Sequence, residues 1–193
     1  MFTPKIIFGF LSSAIALLCC VPYVRDIYKG KTKPHVFSWF LWGVIPATVF
    51  IVQKEGRSGA GSWVTAMACV ASFFVAFLGF FKGVKKFLLV DWICFFGALF
   101  GIILWVFTKQ PLSAVVILTL TDGVAYIPTF KKGFSKPFEE TLSTWILSAL
   151  QFIIALFAFD VFSFLNLFYP VALIVMNITF VTLLLIRRKI LTK

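Results

Sequence analysis

Asp122 is a carboxylate set inside an apolar run, in the stretch TLTDGVAYIP that covers residues 119 to 128. Thr119, Tyr126 and Thr129 share its helical spacing: the four positions are i, i+3, i+7 and i+10, which fall along one stripe of a helix. A polar stripe on an otherwise apolar helix indicates a cavity or a buried hydrogen-bond network. The stretch therefore predicts a polar site in the protein interior.

The composition of the chain identifies the solvent that surrounds this helix. Of the 193 residues, 61% are hydrophobic and 13% are charged, and the mean hydropathy is +1.04, whereas soluble domains carry about 25% charged residues. These values predict an integral membrane protein with the lipid bilayer as a partner. The net charge of +11 falls in short clusters between apolar runs, a pattern that indicates membrane topology, and we expect no nucleic-acid partner.

Seven apolar runs are long enough to cross a bilayer, which takes about 20 residues of helix. They are Ile6 to Tyr23, Val36 to Val52, Trp63 to Phe81, Phe87 to Thr108, Pro111 to Phe130, Leu142 to Phe159, and Val161 to Ile186. The first run is not followed by an A-x-A cleavage pattern, so we expect it to stay in the mature protein as a helix and not to act as a signal peptide.

The basic residues predict the orientation of these spans. Of the 18 Lys and Arg residues, 14 fall in loops on one side of the predicted membrane and at the C-terminus. They are Arg25, Lys29, Lys31, Lys33, Lys82, Lys85, Lys86, Lys131, Lys132, Lys136, Arg187, Arg188, Lys189 and Lys193. By the positive-inside rule the N-terminus is outside and the C-terminus is cytoplasmic. A short chain with such loops and no sorting tail fits a bacterial plasma membrane.

Asp122 lies deep in the fifth predicted span. At 1.5 Å per residue it is about 13 Å along the helix from Lys131 and about 20 Å from Lys109. An ionised acid at such a depth costs about 2.5 to 3.5 kcal/mol on insertion scales. Three interpretations are open: a structural hydrogen bond, a carboxylate that exchanges protons or coordinates a cation during transport, and a direct contact to a cationic substrate group.

An internal repeat appears when Pro22 is placed on Pro128. The matched pairs are Ser13 with Thr119, Arg25 with Lys131, Tyr28 with Phe134, and Trp39 with Trp145. Each repeat would contain three helices, an odd number, so two repeats fused directly would lie upside down relative to each other. The fourth predicted helix restores the parity, and the repeats become parallel, related by an axis along the membrane normal.

The helix-ending prolines, the basic loops after them, and the Ser38-Trp39 and Thr144-Trp145 pairs resemble the PQ-loop and SWEET superfamily. That superfamily includes SWEET sugar transporters, cystinosin-like amino-acid exporters, PnuC-like vitamin transporters and the non-transporting KDEL receptor. The resemblance implies an all-α membrane protein with seven transmembrane helices in a SWEET-like 3+1+3 parallel repeat of three-helix bundles. The implied divisions are a first three-helix unit at 1–86, a linker helix at 87–109 and a second three-helix unit at 110–193.

The chain departs from this pattern in several places. Tyr23 and Thr129 stand where the glutamine that gives the PQ motif its name would follow each proline. Pro22, Pro46 and Pro128 match three of the four hinge prolines of SWEET proteins, while Phe152 takes the fourth place. A sugar substrate is therefore not implied. Trp39-Phe40-Leu41-Trp42 is similar to a WxxW motif of PnuC-like transporters, but any aromatic-rich membrane helix can produce it.

The candidate substrate-binding or proton-coupling residues come from several helices. They are Asp122, Asn177, Tyr126, Thr119, Trp42, Gln151 and Ser72. The resemblance places Asn177 where the third helix of a SWEET unit carries a substrate-contacting asparagine, with Ser72 in the corresponding stretch of the first unit. Gln151 and Trp42 could line the same cavity. An interhelical hydrogen bond is the alternative role for Asn177.

The sequence gives no sign of an enzyme. His35 is the single histidine, so we expect no His-based metal site or catalytic pair, and GxSxG, HExxH and P-loop patterns are absent from the sequence. We expect no cofactor. The predicted function is a transporter, either a facilitator or a proton-coupled carrier, that moves a small polar solute by alternating access, with protons as a further candidate partner. The alternative is a non-transporting receptor or scaffold of the same fold, and self-association into a homo-oligomer is left open.

Overall fold

The computed structural model describes residues 3–83 and 88–192. Within these ranges the chain is almost entirely helical, and no residue belongs to a strand. The α-helices are α1 (Pro4–Leu18), α2 (Cys20–Tyr28), α3 (Val36–Glu55), α4 (Trp63–Lys82), α5 (Leu89–Thr108), α6 (Pro111–Ser135), α7 (Leu142–Leu156) and α8 (Phe164–Leu191). Two short 3-10 helices, Ala60–Ser62 and Pro137–Glu139, precede α4 and α7.

Within the described ranges, six helical segments are long and apolar enough to cross a membrane, which fits an integral membrane protein. They are Pro4–Tyr28, Val36–Glu55, Ala60–Lys82, Leu89–Thr108, Pro111–Ser135 and Phe164–Leu191. The seventh apolar helix, α7, has 15 residues and is shorter. It ends before the predicted Phe159 because that residue turns away to form an isolated antiparallel bridge with Gly59. The expectations for Lys85, Lys86 and Lys193, and the boundary at 86/87, lie outside the described residues.

The first membrane segment is interrupted at Cys19, between α1 and α2. Pro22 follows three residues later and lacks the N–H that would bond to the carbonyl of the residue four positions before it. That residue is Leu18. The next carbonyl along the chain, that of Cys19, accepts a hydrogen bond of 3.0 Å from the Thr144 hydroxyl on α7, so the interruption is tied to α7. Pro46 and Pro128, by contrast, lie inside the continuous helices α3 and α6.

By chain order the helices divide into an N-terminal group, α1 to α4, and a C-terminal group, α6 to α8, with α5 between them. In the N-terminal group α4 contacts both α1 and α3, and in the C-terminal group α8 contacts both α6 and α7. Between the groups, α1 contacts α7 and α3 contacts α6, while α5 lies against α3 and α6. Of the long segments, α3 is the most buried and α5 the least. The interface between the groups is thus built from α1 and α3 on one side and from α6 and α7 on the other.

The loops identify the two ends of the bundle. At one end, which we call the basic end, Thr32 and Thr141 hydroxyls lie 3.1 Å apart and Thr141 donates a 2.8 Å hydrogen bond to Asp26. Arg188, near the end of α8, donates to the carbonyl of Pro137 at the same end. The loops after α2 and α6 and the end of α8 are therefore neighbours, as their predicted common side requires.

The opposite end is closed by contacts between the two groups. The side chain of Asn166 donates a 2.8 Å hydrogen bond to the Gly56 carbonyl, and the buried Gln53 amide donates to the Asn166 carbonyl at 3.1 Å. The backbone N–H of Asp160 donates to the Ser58 carbonyl at 3.2 Å, beside the Gly59–Phe159 bridge. We refer to these contacts as the closure.

Gly133 on α6 provides a test of the packing between α6 and α8. A Cβ atom at Gly133 would lie 2.5 Å from the ring of Phe180, which is fully buried. We expect Gly133→Ala to lower the free energy of unfolding by about 1 to 3 kcal/mol, because overpacking forces a buried side chain to move. Thermal unfolding in detergent measures this change.

Gly123→Ala is the matched control, since Gly123 is also on α6 and also faces α8. A Cβ atom there would meet only the terminal methyl and sulfur of Met176, the flexible end of a long side chain. This control should be neutral or slightly stabilising, because alanine favours a helix over glycine by about 1 kcal/mol. Equal stability of the two variants would contradict the packing described for Phe180.

Candidate functional site

A vestibule of about 520 Å³ opens at the basic end, between the two helix groups. Its walls come from α2, α3, α6, the start of α7 and the loops between them. The lining residues include Tyr23, Lys31, Lys33, His35, Trp39, Trp42, Thr129, Lys132, Lys136, Glu139, Glu140 and Trp145. The volume lies within the range of about 300 to 1,000 Å³ that is usual for small-molecule sites.

The charges of the vestibule are partly paired. Lys132 on α6 lies 2.8 Å from the Glu140 carboxylate, and Lys136 lies 3.0 Å from Glu139. The indole N–H of Trp145 donates to the other oxygen of Glu140 at 3.3 Å. Because four lysines and two glutamates are among the described residues that line this space, the described mouth carries a net positive charge at neutral pH. Such a mouth attracts solutes with a negative group.

A second, smaller space lies deeper between the groups; we call it the inner cavity. Its volume is about 70 Å³. It is lined by Trp39, Trp42, Pro46, Ala68, Ser72, Asp122, Tyr126, Thr144, Trp145, Ser148, Gln151, Phe152, Tyr169, Leu173 and Asn177. Five helices contribute to it: α3 and α4 from the N-terminal group, and α6, α7 and α8 from the C-terminal group.

Four buried polar atoms at the inner cavity have no hydrogen-bond partner among the described residues. Three are acceptor oxygens, on Asp122, Gln151 and Asn177, and the fourth is the indole N–H of Trp42. The first three residues are between 1% and 3% exposed. The amide nitrogen of Asn177 donates to the Leu173 carbonyl at 2.7 Å, so the unpartnered oxygen is the remaining polar atom of that side chain. Because an unpartnered buried polar atom costs about 1 to 3 kcal/mol, such a concentration indicates a ligand site.

An aromatic cluster of Trp39, Trp42, Tyr126 and Trp145 lies between the two spaces. The three tryptophans line both the vestibule and the inner cavity. Their ring centroids are close: 5.2 Å for Trp39 and Trp42, 5.1 Å for Trp42 and Tyr126, and 6.0 Å for Tyr126 and Trp145. The cluster therefore separates the polar inner cavity from the vestibule, and its rings supply flat apolar walls to both.

The structure brings six of the seven candidate residues together. Asp122, Tyr126, Asn177, Trp42, Gln151 and Ser72 all line the inner cavity. Thr119 does not line it: its hydroxyl is buried and donates to the Val115 carbonyl of its own helix at 2.6 Å. Thr129, at the other end of the polar stripe, lines the vestibule. The stripe on α6 thus runs from a local hydrogen bond at Thr119 through the inner cavity to the vestibule.

Two of the three prolines predicted as hinges line these spaces. Pro46 lines the inner cavity and Pro128 lines the vestibule, while Pro22 follows the break at Cys19. A fourth proline, Pro170, lies inside α8 and is buried. Phe152, which takes the place of the fourth hinge proline, lines the inner cavity with Tyr169 at a ring distance of 6.3 Å.

Sequence reasoning did not assign a site role to Trp145, Tyr169, Lys132 or Glu140. One usable signal was helical spacing on α7, because Trp145, Ser148 and Phe152 occupy positions i, i+3 and i+7. The pairing of Lys132 with Glu140 has no such signal, since it joins residues on either side of the turn between α6 and α7.

The chain was also compared with known proteins. Comparison with known protein families, with curated proteins and with solved structures finds no match.

Proposed function

We propose that the protein is a membrane transporter that moves a small polar solute by alternating access. One observation carries the proposal: a vestibule of about 520 Å³ leads toward a buried polar cavity between two helix groups, and the opposite end is closed by contacts between the same groups. A site reached from one end and sealed at the other is what one state of an alternating-access carrier requires.

The contacts between helices support a 3+1+3 parallel repeat as the basis of this mechanism. If α1, α3 and α4 are matched with α6, α7 and α8 in that order, the α1–α7 contact corresponds to the α6–α3 contact. The same matching pairs α4 with α8, and each of these contacts the other two helices of its set. A pseudo-two-fold axis along the membrane normal produces such a pattern, and it agrees with the resemblance to the PQ-loop and SWEET superfamily.

In the proposed mechanism the basic end is cytoplasmic, following the positive-inside rule. The described state is then open to the cytoplasm. The solute lies in the vestibule against the aromatic cluster, and its polar head reaches the inner cavity. Movement of one group against the other would part the closure and bring the basic ends together, with Pro22, Pro46 and Pro128 as points where the helices bend.

Flux into proteoliposomes tests the proposal. We expect saturable uptake of at least one solute from a panel of vitamins, amino acids, sugars and their anionic derivatives. Trp42→Ala should reduce this uptake, because it removes a wall shared by the vestibule and the inner cavity. Phe107→Ala is the matched control, since Phe107 is 82% exposed on α5. Saturable binding without flux for every solute would replace the transporter with the receptor alternative.

A further inference from the structure

We propose that the inner cavity binds a monovalent metal cation, for which sodium serves as the probe, held by oxygens of Asp122, Gln151 and Asn177. The inference deepens the proposed function, since in a transporter such an ion would couple its own gradient to the movement of the solute. The binding itself is a property of the cavity and does not require transport.

The size of the inner cavity limits its occupant. A cavity of about 70 Å³ has room for a small ion together with water. An organic solute needs several times this space, which the vestibule of about 520 Å³ provides. The two spaces therefore suit two different occupants: a solute on the vestibule side of the aromatic cluster and a small ion on the inner-cavity side.

The charge of the lining favours a single positive charge. Among the described residues that line the inner cavity, Asp122 is the only Asp, Glu, Lys, Arg or His. A monovalent cation would neutralise it, and a buried charge needs such compensation. No group of three or more His, Cys, Asp or Glu residues that could hold a metal occurs in the described ranges. This argues against zinc and calcium, which take several such ligands.

The unpartnered atoms favour a metal ion over a proton. Three of the four unpartnered atoms are acceptor oxygens. Protonation of Asp122 would create only one O–H donor for them, whereas a cation can accept lone pairs from more than one oxygen at once. The three ligands come from α6, α7 and α8, so a bound ion would tie the three helices of the C-terminal group to one another.

Thermal unfolding in detergent tests the inference, with sodium chloride against N-methyl-D-glucamine chloride at equal ionic strength. The large organic cation cannot enter a space of about 70 Å³. We expect sodium to raise the unfolding midpoint saturably, by about 3 to 6 °C at a concentration about tenfold above its Kd. Equal midpoints in the two salts at every concentration would overturn the inference.

Variants locate the ion. Asp122→Asn and Asn177→Leu should each abolish the sodium-dependent rise, whereas Asp160→Asn, which alters an exposed carboxylate, should keep it. Two separate variants are used so that the test still works if one of them misfolds. A sodium-dependent rise in the unfolding midpoint that persists in both variants would place the ion elsewhere and overturn the proposal. If solute flux does not depend on sodium, the ion has no part in the transport mechanism, and the proposed transport function still stands. If sodium raises the unfolding midpoint but the protein moves no solute, the ion site stands and the proposed transport function is wrong.

Discussion

Replacing Asp122 by asparagine is expected to lower solute flux by about 10- to 100-fold, the equivalent of one lost hydrogen bond to a charged group. The carboxylate is 1% exposed and has an oxygen without a partner among the described residues at the inner cavity, so its charge is available to a ligand. Asparagine has nearly the same shape and removes only the charge. Initial rates of uptake into proteoliposomes measure the effect.

The fold should survive this change. A buried, unpaired charge is a burden on stability, and we therefore expect the thermal midpoint of Asp122→Asn in the absence of added ions to equal or exceed that of the wild type. Asp160→Asn is the matched control, because it makes the same substitution in an exposed ion pair with Lys5, and exposed pairs contribute little. Full flux in Asp122→Asn would assign the carboxylate a structural role only.

Replacing Gly59 by alanine is expected to open the closure. Gly59 has φ 61° and ψ −142°, a conformation that is open essentially to glycine alone, and a Cβ atom would collide with the Asp160 side chain. Backbone strain and the collision together should destabilise the closed end by about 2 to 5 kcal/mol. Hydrogen–deuterium exchange should rise in residues 56–62 and 157–163, and the thermal midpoint should fall.

Gly30→Ala separates the two causes. Gly30 also has a positive φ, 68°, but nothing lies within 4 Å of the added Cβ atom. It should therefore show only the backbone cost of about 1 to 2 kcal/mol, and exchange at the closure should stay at the wild-type rate. If residues 56–62 and 157–163 of Gly59→Ala exchange as slowly as in the wild type, the Gly59–Phe159 bridge does not hold this end of the bundle closed.

The helices were largely predictable because hydropathy over some 20 residues is a strong signal. Their ends were harder to predict. The chain leaves α7 at Leu156 and pairs Phe159 with Gly59, a contact between residues 100 positions apart that no local pattern encodes. In α6 the helix runs beyond the predicted Phe130 to Ser135, because basic residues continue a helix readily once it leaves the apolar layer.

The acidic and amide members of the inner cavity were predictable, and most of its aromatic walls were not. Asp122, Asn177 and Gln151 are conspicuous because a polar side chain in an apolar run needs an explanation. Tryptophan gives no such signal in a membrane helix, since lipid and protein interior both suit it. Trp145 is 4% exposed and Trp92 is 47% exposed, yet both occur in similar apolar runs, and only the packing of α7 against its neighbours tells them apart.

The interruption at Cys19 makes the two halves mechanically unequal. The first segment consists of two helices, α1 and α2, and the Thr144 hydroxyl of the other half donates a hydrogen bond to the carbonyl at their junction. Its counterpart α6 is one continuous helix of 25 residues that carries Asp122. Bending of the first segment would then concentrate at Cys19, whereas bending of α6 would be confined to Pro128, six residues beyond Asp122. The turn of α6 that carries Asp122 would keep its place while the first segment moves.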